Sequence, residues 1–586
     1  MINRVIRHQY RRHILLHQEQ AKHAVLEIRA VEDVRMREDH QITQCSANYV
    51  TLSPTSFLEG AATAYGDKVS IIYGDHVRFS WLETHQRCVK LASALVKLGI
   101  SHGDIVAALA PNIPALYELH FGAPMAGAVL SALNTKLDVT TLALILEQLE
   151  SCKIMFVDYQ FIDSALKAFE IMSQRKLKPP LIVLIQDSHD QKSSFLAKDM
   201  PPSILNYNEL LEMGESGFET LKPCNECDPI SVNFTSGSTG IPKGVVYSHR
   251  GAYLNSLAAI ARFGMKPMPV FLWTVDMFRC NGWCFPWVMS ALGGTNVCLR
   301  NVSAKEIFDA IHLHKVTHLC GAPTLLDMIA YASPHDQIPL PHRVNVTVAG
   351  VLPPLEVLNK VAKLGFDVSI GYGMTEALGP VILRPWEPNS NDEHSKQNYY
   401  YGEQGLKDFM MMQEFDVKDP TSMKSTPHDG KTIGEIMFKG NTLMLGYLKN
   451  SQATEEAFRG GWYRTGDLAV REQNGSITLK DRAKDIIYSK GEAISSLEIE
   501  TVLLTHPKVL KAAVVGIYDQ SLLESSPYAV VKLKDDGFSV TVEDIIKFCE
   551  DKLDSHMVPK SVVFGDLPVN STGKVQKFLI RENMKN

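Results

Sequence analysis

The sequence predicts an α/β protein: a large N-terminal body of several subdomains with mainly parallel sheets covered by helices, then a small, mobile α+β C-terminal domain. Three observations carry this. Short apolar runs such as Ile105 to Ala110, Ile154 to Val157, Leu181 to Ile185 and Val344 to Val348 alternate with helical patterns such as Thr84 to Leu98 and Ala304 to His314, and such alternation argues for parallel strands joined by covering helices. The 586 residues exceed what one core organises. Near Lys480 a second, shorter alternation begins, with strands over Asp485 to Tyr488, Ala512 to Ile517 and Ala529 to Leu533 and helices over Ser495 to Leu504 and Val542 to Leu553. The domains are therefore drawn as 1–45, 46–480 and 481–586, with a hinge at 481–485.

Residues 1–45 form a basic extension. Arg4, Arg7, Arg11 and Arg12 precede the first acidic residue, Glu19, and Ile2, Ile6, Tyr10 and Ile14 recur every four positions, the pattern of an amphipathic helix. It reads either as a transit segment, which would make the protein mitochondrial, or as a solvated extension of a cytoplasmic one. Lys585 and Asn586 do not make a Ser-Lys-Leu type of peroxisomal terminus.

Composition bounds the function. A hydrophobic content of 45%, a charged content of 21% and a formal net charge of −6 describe an ordinary globular enzyme and give no reason to expect a nucleic-acid partner. No apolar run is long enough to span a bilayer. Ten cysteines are scattered without a dense framework, which fits a reducing compartment. Cys224 and Cys227 make a CxxC, and Cys280 and Cys284 lie in a CNGWC run. The pairs are dissimilar and far apart in sequence, so no four-ligand structural zinc is expected from them. His312, His314 and His318 read as a helix end. Glu387 to Thr432, with Tyr399, Tyr400 and Tyr401, breaks the alternation and reads as a long surface excursion.

The stretch that organises the chemistry is FTSGSTGIPKGVVYSHRG, from Phe234 to Gly251. A buried strand, Ile230 to Phe234, runs into a loop of Thr, Ser and Gly. Gly237 and Gly240 let successive N–H groups converge, Thr235, Ser236, Ser238 and Thr239 add hydroxyls, and Lys243 adds positive charge, a donor array suited to a polyphosphate. The loop departs from GxxxxGK[ST], since Pro242 interrupts it and Lys243 precedes Gly244.

Further along come MFRCNGWCFPW (Met277 to Trp287), VAGVLPP (Val348 to Pro354), GYGMTE (Gly371 to Glu376), GEIMFKGNTLMLGY (Gly434 to Tyr447), GWYRTGD (Gly461 to Asp467), DRAKDIIYSKGEAISSLEIE (Asp481 to Glu500) and STGK (Ser571 to Lys574). With the phosphate loop, these segments in this order resemble the adenylate-forming superfamily of acyl-CoA synthetases and luciferase-like enzymes. Their wording is most similar to the plant acyl-activating enzymes that make short-chain, medium-chain or aromatic acyl-CoA thioesters.

The resemblance implies an ATP- and Mg2+-dependent ligase that joins a carboxylic acid to coenzyme A through an acyl-adenylate. It implies that Thr235, Ser236, Gly237, Ser238, Thr239, Gly240 and Lys243 hold the β- and γ-phosphates, that Thr375 contacts the α-phosphate, and that Glu376 is the metal ligand. Tyr372, beside Gly373, would lie on the adenine, while Asp467 and Arg482 would take the ribose. Lys574 would bridge carboxylate and α-phosphate in the first half-reaction. For the second, the small domain would turn about Lys484 and bring Lys490 and Gly491 to the thiol tunnel. Arg279, Trp283, Val351 and Gly371 would line the acyl pocket.

Departures from the pattern stand beside the matches. The plant subgroup usually has His where Arg279 stands, and guanidinium is larger, always charged and no base near neutral pH. Ala349-Gly350-Val351-Leu352 is bulkier than the usual loop, which suggests a shortened pocket, and Ala493 replaces an expected Asn. A luciferase-like oxygenase, or a nucleotide-binding homologue that has lost turnover, are the alternative readings; Lys574 and Glu376 favour the ligase.

Overall fold

The computed structural model describes residues 48–187, 204–235, 242–350, 353–386, 413–489, 492–519, 524–534, 540–569 and 575–584. The basic extension 1–45 and the tyrosines 399–401 lie outside them.

Two eight-stranded sheets build the body. The first runs, edge to edge, through Gly379–Pro385, Phe366–Met374, Val344–Ala349, His318–Gly321, Val270–Trp273, Thr295–Cys298, Val69–Tyr73 and Val77–Ser80. The second runs through Gly446–Tyr447, Lys243–Ser248, Pro229–Thr235, Val129–Ala132, Ile105–Leu109, Cys152–Asp158, Leu181–Ile185 and Leu205–Asn206. Neighbours pair in parallel except near the edges, where Gly379–Pro385, Val77–Ser80, Lys243–Ser248 and Gly446–Tyr447 turn antiparallel.

The largest core lies between the sheets, and the helix Pro114–Met125 sits wholly within it. An amphipathic stripe would not serve there: apolar residues all round let that helix bury every face. Its one acid, Glu118, is fully buried and takes Arg87 Nε at 2.5 Å and Tyr207 Oη at 2.5 Å, so the charge is compensated where it is desolvated. The outer faces carry their own cores, with Ile307, Ile311, Leu326 and Leu358 covering the first sheet and Leu142, Leu146, Ala165 and Phe169 the second.

Caps set the helix starts. Ser303 accepts from Glu306 N to open Ala304–His314, and Ser80 with Glu83 closes a reciprocal pair at the start of Trp81–Lys97. His312 and His314 fall in the last turn of Ala304–His314, whereas His318, read with them as a helix end, opens the parallel strand His318–Gly321 instead. Glu387 to Thr432 is not excursion throughout. Gln413–Lys418 is the edge strand of a four-stranded antiparallel sheet with Gly434–Gly440, Tyr463–Arg471 and Ile477–Arg482.

The C-terminal domain has cores of its own, around Ile499, Leu503, Val514, Val531 and Ile545 and around Val515 and Ile580. Asp481 connects to it: its Oδ2 accepts from both N and Oγ of Ser496 at 2.6 Å, at the first turn of the helix Ser496–Leu504. The strands Ile487–Ser489 and Glu492–Ile494 pair antiparallel. Among the described residues no helix is long and apolar enough to cross a membrane.

Candidate active site

The strand Pro229–Thr235 ends at Thr235, which pairs across the return strand with Lys243. Ser236, Gly237, Ser238, Thr239 and Gly240, between them, lie outside the described residues. Lys243 Nζ stands 4.3 Å over the ring of Tyr447, a cation–π contact that fixes the ammonium beside that ring.

Tyr447 also links Lys243 to the acid read as a metal ligand. Its hydroxyl donates to Glu376 Oε1 at 2.9 Å, and burial together with Glu376 pushes that hydroxyl up from its ordinary range. Glu376 sits in the short 3₁₀ turn Thr375–Ala377 that ends the strand Phe366–Met374. Two backbone anchors fix the turn: Tyr247 Oη donates to Thr375 O at 2.6 Å and Met444 N to Glu376 O at 2.9 Å. Leu378, in the left-handed region at φ 58°, and Gly379 then reverse the chain. Gly373 has no room for a side chain, because a Cβ there would meet Gly379 O at 2.1 Å.

Beyond that turn Tyr372 Oη donates to Asp467 Oδ2 at 2.8 Å, and Arg482 Nε pairs with Asp467 Oδ1 at 2.7 Å. Burial and the Asp467 carboxylate raise the Tyr372 hydroxyl well above its ordinary value. Burial alone would pull Arg482 down, but the Asp467 charge outweighs it and the guanidinium is raised. The register makes this triad: Asp467 lies directly across from Arg482 in the antiparallel pair Tyr463–Arg471 and Ile477–Arg482. Lys484, two residues on, is lowered, by desolvation first and then by the nearby Arg482 and Arg581.

Of the acyl-pocket candidates, Trp283 lies in an unusual turn and Arg279 immediately precedes it. Cys280, Asn281, Gly282, Trp283 and Cys284 all have φ between 43° and 67°, so a whole left-handed turn is built with one glycine, at a cost of roughly 1–2 kcal/mol for each of the others. Buried Asn281 anchors it: its N–H donates to Asn233 Oδ1 at 2.8 Å and its Oδ1 accepts from Ser231 Oγ at 2.7 Å and Asn233 Nδ2 at 2.5 Å. Both partners stand on the strand that leads to Thr235. Trp283 packs against Gly379, where an added Cβ would stand 3.2 Å from the indole. Cys280 Sγ faces Thr375 Oγ1 at 3.6 Å, and burial raises its thiol to about 11. Gly371 is hemmed in by Ala349, Pro380 and Leu383.

Arg279 is not a bare charge in this region. Its Nε pairs with Asp276 Oδ2 at 2.7 Å and its guanidinium lies 5.1 Å from the Phe278 ring centre. Val351, Lys490, Gly491 and Lys574 lie outside the described residues.

Tyr372, Gly373, Thr375, Glu376, Asp467, Arg482, Thr235 and Lys243 are thus linked through shared neighbours along adjoining strand ends. Sequence reading passed over Tyr447, Tyr247, Asn233 and Asn281. Tyr447 was in plain view at the end of GEIMFKGNTLMLGY, whereas nothing in the sequence signals that the two asparagines meet.

The arrangement fits nucleotide chemistry. A hard carboxylate oxygen at Glu376 suits magnesium, and the paired Asp467 and Arg482 offer acceptor and donor to hydroxyls.

Comparison with known proteins agrees. A family model described as AMP-binding enzyme matches residues 58–448, and one described as AMP-binding enzyme C-terminal domain matches residues 498–574. A probable acyl-activating enzyme of Arabidopsis thaliana is 47% identical over 92% of this chain and 97% of its own length. An acetate–CoA ligase of Humulus lupulus is 44% identical over 94% and 97%, and a trans-cinnamate:CoA ligase of Petunia hybrida 42% identical over 93% and 96%. Among solved structures, ATP-bound MatB from Rhodopseudomonas palustris superposes with a TM-score of 0.76 at 22% identity, covering 91% of this chain and 99% of that one. A benzoate CoA ligase from Burkholderia xenovorans gives 0.74 at 23%, covering 90% and 99%.

Proposed function

The chain belongs to the AMP-binding enzyme family and is an AMP-forming acid–thiol ligase, and from that premise we propose that it activates a short- or medium-chain aliphatic acid. An aromatic acid of the benzoate or cinnamate kind stands second. Support comes from relatives at more than 40% identity whose names give acetate, butyrate, 2-methylpropanoate and cinnamate as acids. The observation that carries the reading is the Tyr372, Asp467 and Arg482 cluster beside Glu376, a ready acceptor, donor and aromatic face next to an oxygen ligand.

In this reading a substrate carboxylate oxygen bonds to the α-phosphorus of ATP as the bond to pyrophosphate breaks, giving an acyl-adenylate. The coenzyme A thiol then bonds to the acyl carbon, loses its proton, and AMP leaves. Two anions must approach in the first step, so the protein has to supply fixed positive charge and donors where water is thin. Lys243 and the loop residues 235–240 take the terminal phosphates, Thr375 orients the α-phosphate, and Lys574 neutralises the meeting of carboxylate and phosphorus. Glu376 would hold magnesium, which supplies charge neutralisation of the phosphates. Tyr372 faces adenine, and Asp467 with Arg482 takes the ribose.

We assign residues 46–480 to the adenylating body and 481–586 to the small domain, with the hinge at 481–485. Lys484 is the pivot for withdrawing Lys574 and bringing Lys490 and Gly491 to the thiol. The acyl pocket is assigned to Arg279, Trp283, Val351 and Gly371.

The test is pyrophosphate release by purified protein with ATP, magnesium and a panel of carboxylic acids, with and without coenzyme A, beside Lys574→Ala. Release that depends on one acid class, collapses in the variant and yields thioester only with coenzyme A is expected. Bound ATP without release under any acid would replace this reading with that of a nucleotide-binding homologue.

A further inference from the structure

We propose that His102, Cys224 and Asp228 form a binding site for a divalent cation of the zinc class, at the starts of interior strands of the second large sheet, the opposite strand ends from Thr235. One ligand atom from each lies within 4.8 Å of the other two. His102 Nε2 and Asp228 Oδ2 are 3.3 Å apart. Bonds of about 2.0–2.3 Å to nitrogen, oxygen and sulfur at tetrahedral angles put ligand atoms roughly 3.5 Å apart. Closing the trio therefore takes about 1 Å of movement, within reach of the exposed Cys224 side chain.

The donors come from two chain segments that the fold brings together. His102 lies in the turn before the strand Ile105–Leu109, and Cys224 and Asp228 lie in the turn before Pro229–Thr235. Both turns are held by their own hydrogen bonds. Asp228 N donates to Asn225 O at 2.8 Å, Asn225 N returns to Asp228 Oδ2 at 2.9 Å, and His249 N donates to Asp228 O at 3.1 Å. Gly103 N donates to Gly127 O at 2.9 Å beside His102. Asp228 Oδ2, the oxygen 3.3 Å from His102 Nε2, accepts one hydrogen bond from Asn225 N and keeps a lone pair for a ligand bond.

The CxxC spacing points to Cys227 as the partner of Cys224, yet among the described residues the cluster takes Asp228 and not Cys227. Thiolate, imidazole and carboxylate together select a borderline-soft ion and disfavour magnesium, which keeps this site distinct from Glu376. Three protein ligands leave a fourth position for water, so the ion would exchange readily. By strand rise it stands about 20 Å from Thr235. A bound ion would staple the starts of the two core strands that flank Val129–Ala132, without touching the reacting groups.

The experiment uses the full chain, reduced with a thiol-free reagent, stripped with chelator and titrated with Co2+ alone. One equivalent should bring up a thiolate-to-cobalt charge-transfer band that excess Mg2+ leaves in place and Zn2+ displaces. The band should survive Cys227→Ser, vanish in Cys224→Ser, and need at least about tenfold more cobalt in His102→Ala. Circular dichroism and acid-dependent pyrophosphate release should match wild type in Cys224→Ser, so a folding failure would show itself separately. No band in folded wild-type protein, displacement by Mg2+, or a band lost with Cys227 and kept without Cys224 would overturn the proposal.

Discussion

Tyr372 donates its hydroxyl to Asp467 Oδ2 at 2.8 Å, and so fixes one oxygen of a carboxylate whose other oxygen is held by Arg482. Asp467 is 4% exposed, so its orientation is set by these partners and not by water. Tyr372→Phe keeps the ring and removes that constraint. A hydrogen bond to a charged group contributes about 1.5–3 kcal/mol, so the KM for ATP should rise about tenfold with kcat changed less than about twofold. Steady-state pyrophosphate release at varied ATP measures it. An equal rise in the KM for the acid would remove this residue from the nucleotide side.

The Tyr447 bond to Glu376 makes a second separable prediction. Glu376→Gln keeps the length of the side chain and its contact with Tyr447 but removes the charge. The magnesium concentration for half-maximal release should rise at least about tenfold, while Tyr447→Phe, which only frees Oε1, should move it by less than about threefold. A magnesium titration of both variants decides it, and an unshifted curve in Glu376→Gln would place the metal elsewhere.

Gly282 is the one residue of the left-handed turn that adopts its angles freely, and the ring of Trp273 would lie 2.7 Å from an added Cβ. Gly282→Ala should cost about 3 kcal/mol, from backbone strain and overpacking together. Urea unfolding reads it as a lower midpoint at unchanged slope. Loss under about 1 kcal/mol would mean that the turn relaxes, and with it Trp283.

How much of this was legible varies with the range of the forces. Leu181–Ile185 and Ala304–His314 match the sequence reading to the residue, because an apolar run with polar ends, or a Ser303 cap with an apolar stripe, is decided locally. Gln413–Lys418 was hidden in a polar stretch, since its buried Asp416 and Lys418 pair with each other and so need no apolar run around them. The turn at 280–284 was illegible for the opposite reason: a single glycine announces no left-handed backbone, and the strain is held by Asn233 and Ser231, which lie far away in sequence. The motifs named Glu376 and Asp467, but Tyr447 and Tyr247, which hold the turn around Glu376, become visible only when strands are placed side by side.

Arg279 pairs with Asp276, and that pairing sets how much charge it can bring to a pocket. A guanidinium already matched by a carboxylate adds little net charge to a pocket. Asp276→Asn should release that charge, and because a partly exposed pair is worth about 1 kcal/mol or less, kcat/KM for an acid with a second carboxylate should rise about threefold relative to its monocarboxylic counterpart. Competition between the two acids measures the ratio, and no change would put Arg279 outside the pocket.

Two buried histidines predict the acid limit of the fold. His120 is wholly buried with Nδ1 donating to Leu116 O at 2.8 Å, and His249 is buried with Nδ1 2.9 Å from Ser53 Oγ. Burial lowers each to about 4, against roughly 6.5 in an unfolded chain. Between those values the unfolded chain takes up a proton that the folded one refuses, so stability falls as pH falls. The contribution is whole above about pH 6.5 and lost as pH drops through about 4, on the order of 3 kcal/mol for each histidine. Urea midpoints from pH 7 to pH 5 should therefore decline, and His120→Leu, whatever it does to the level, should make the decline shallower by close to one proton's worth of slope. A parallel decline in the variant would show that His120 takes up its proton in the folded state after all.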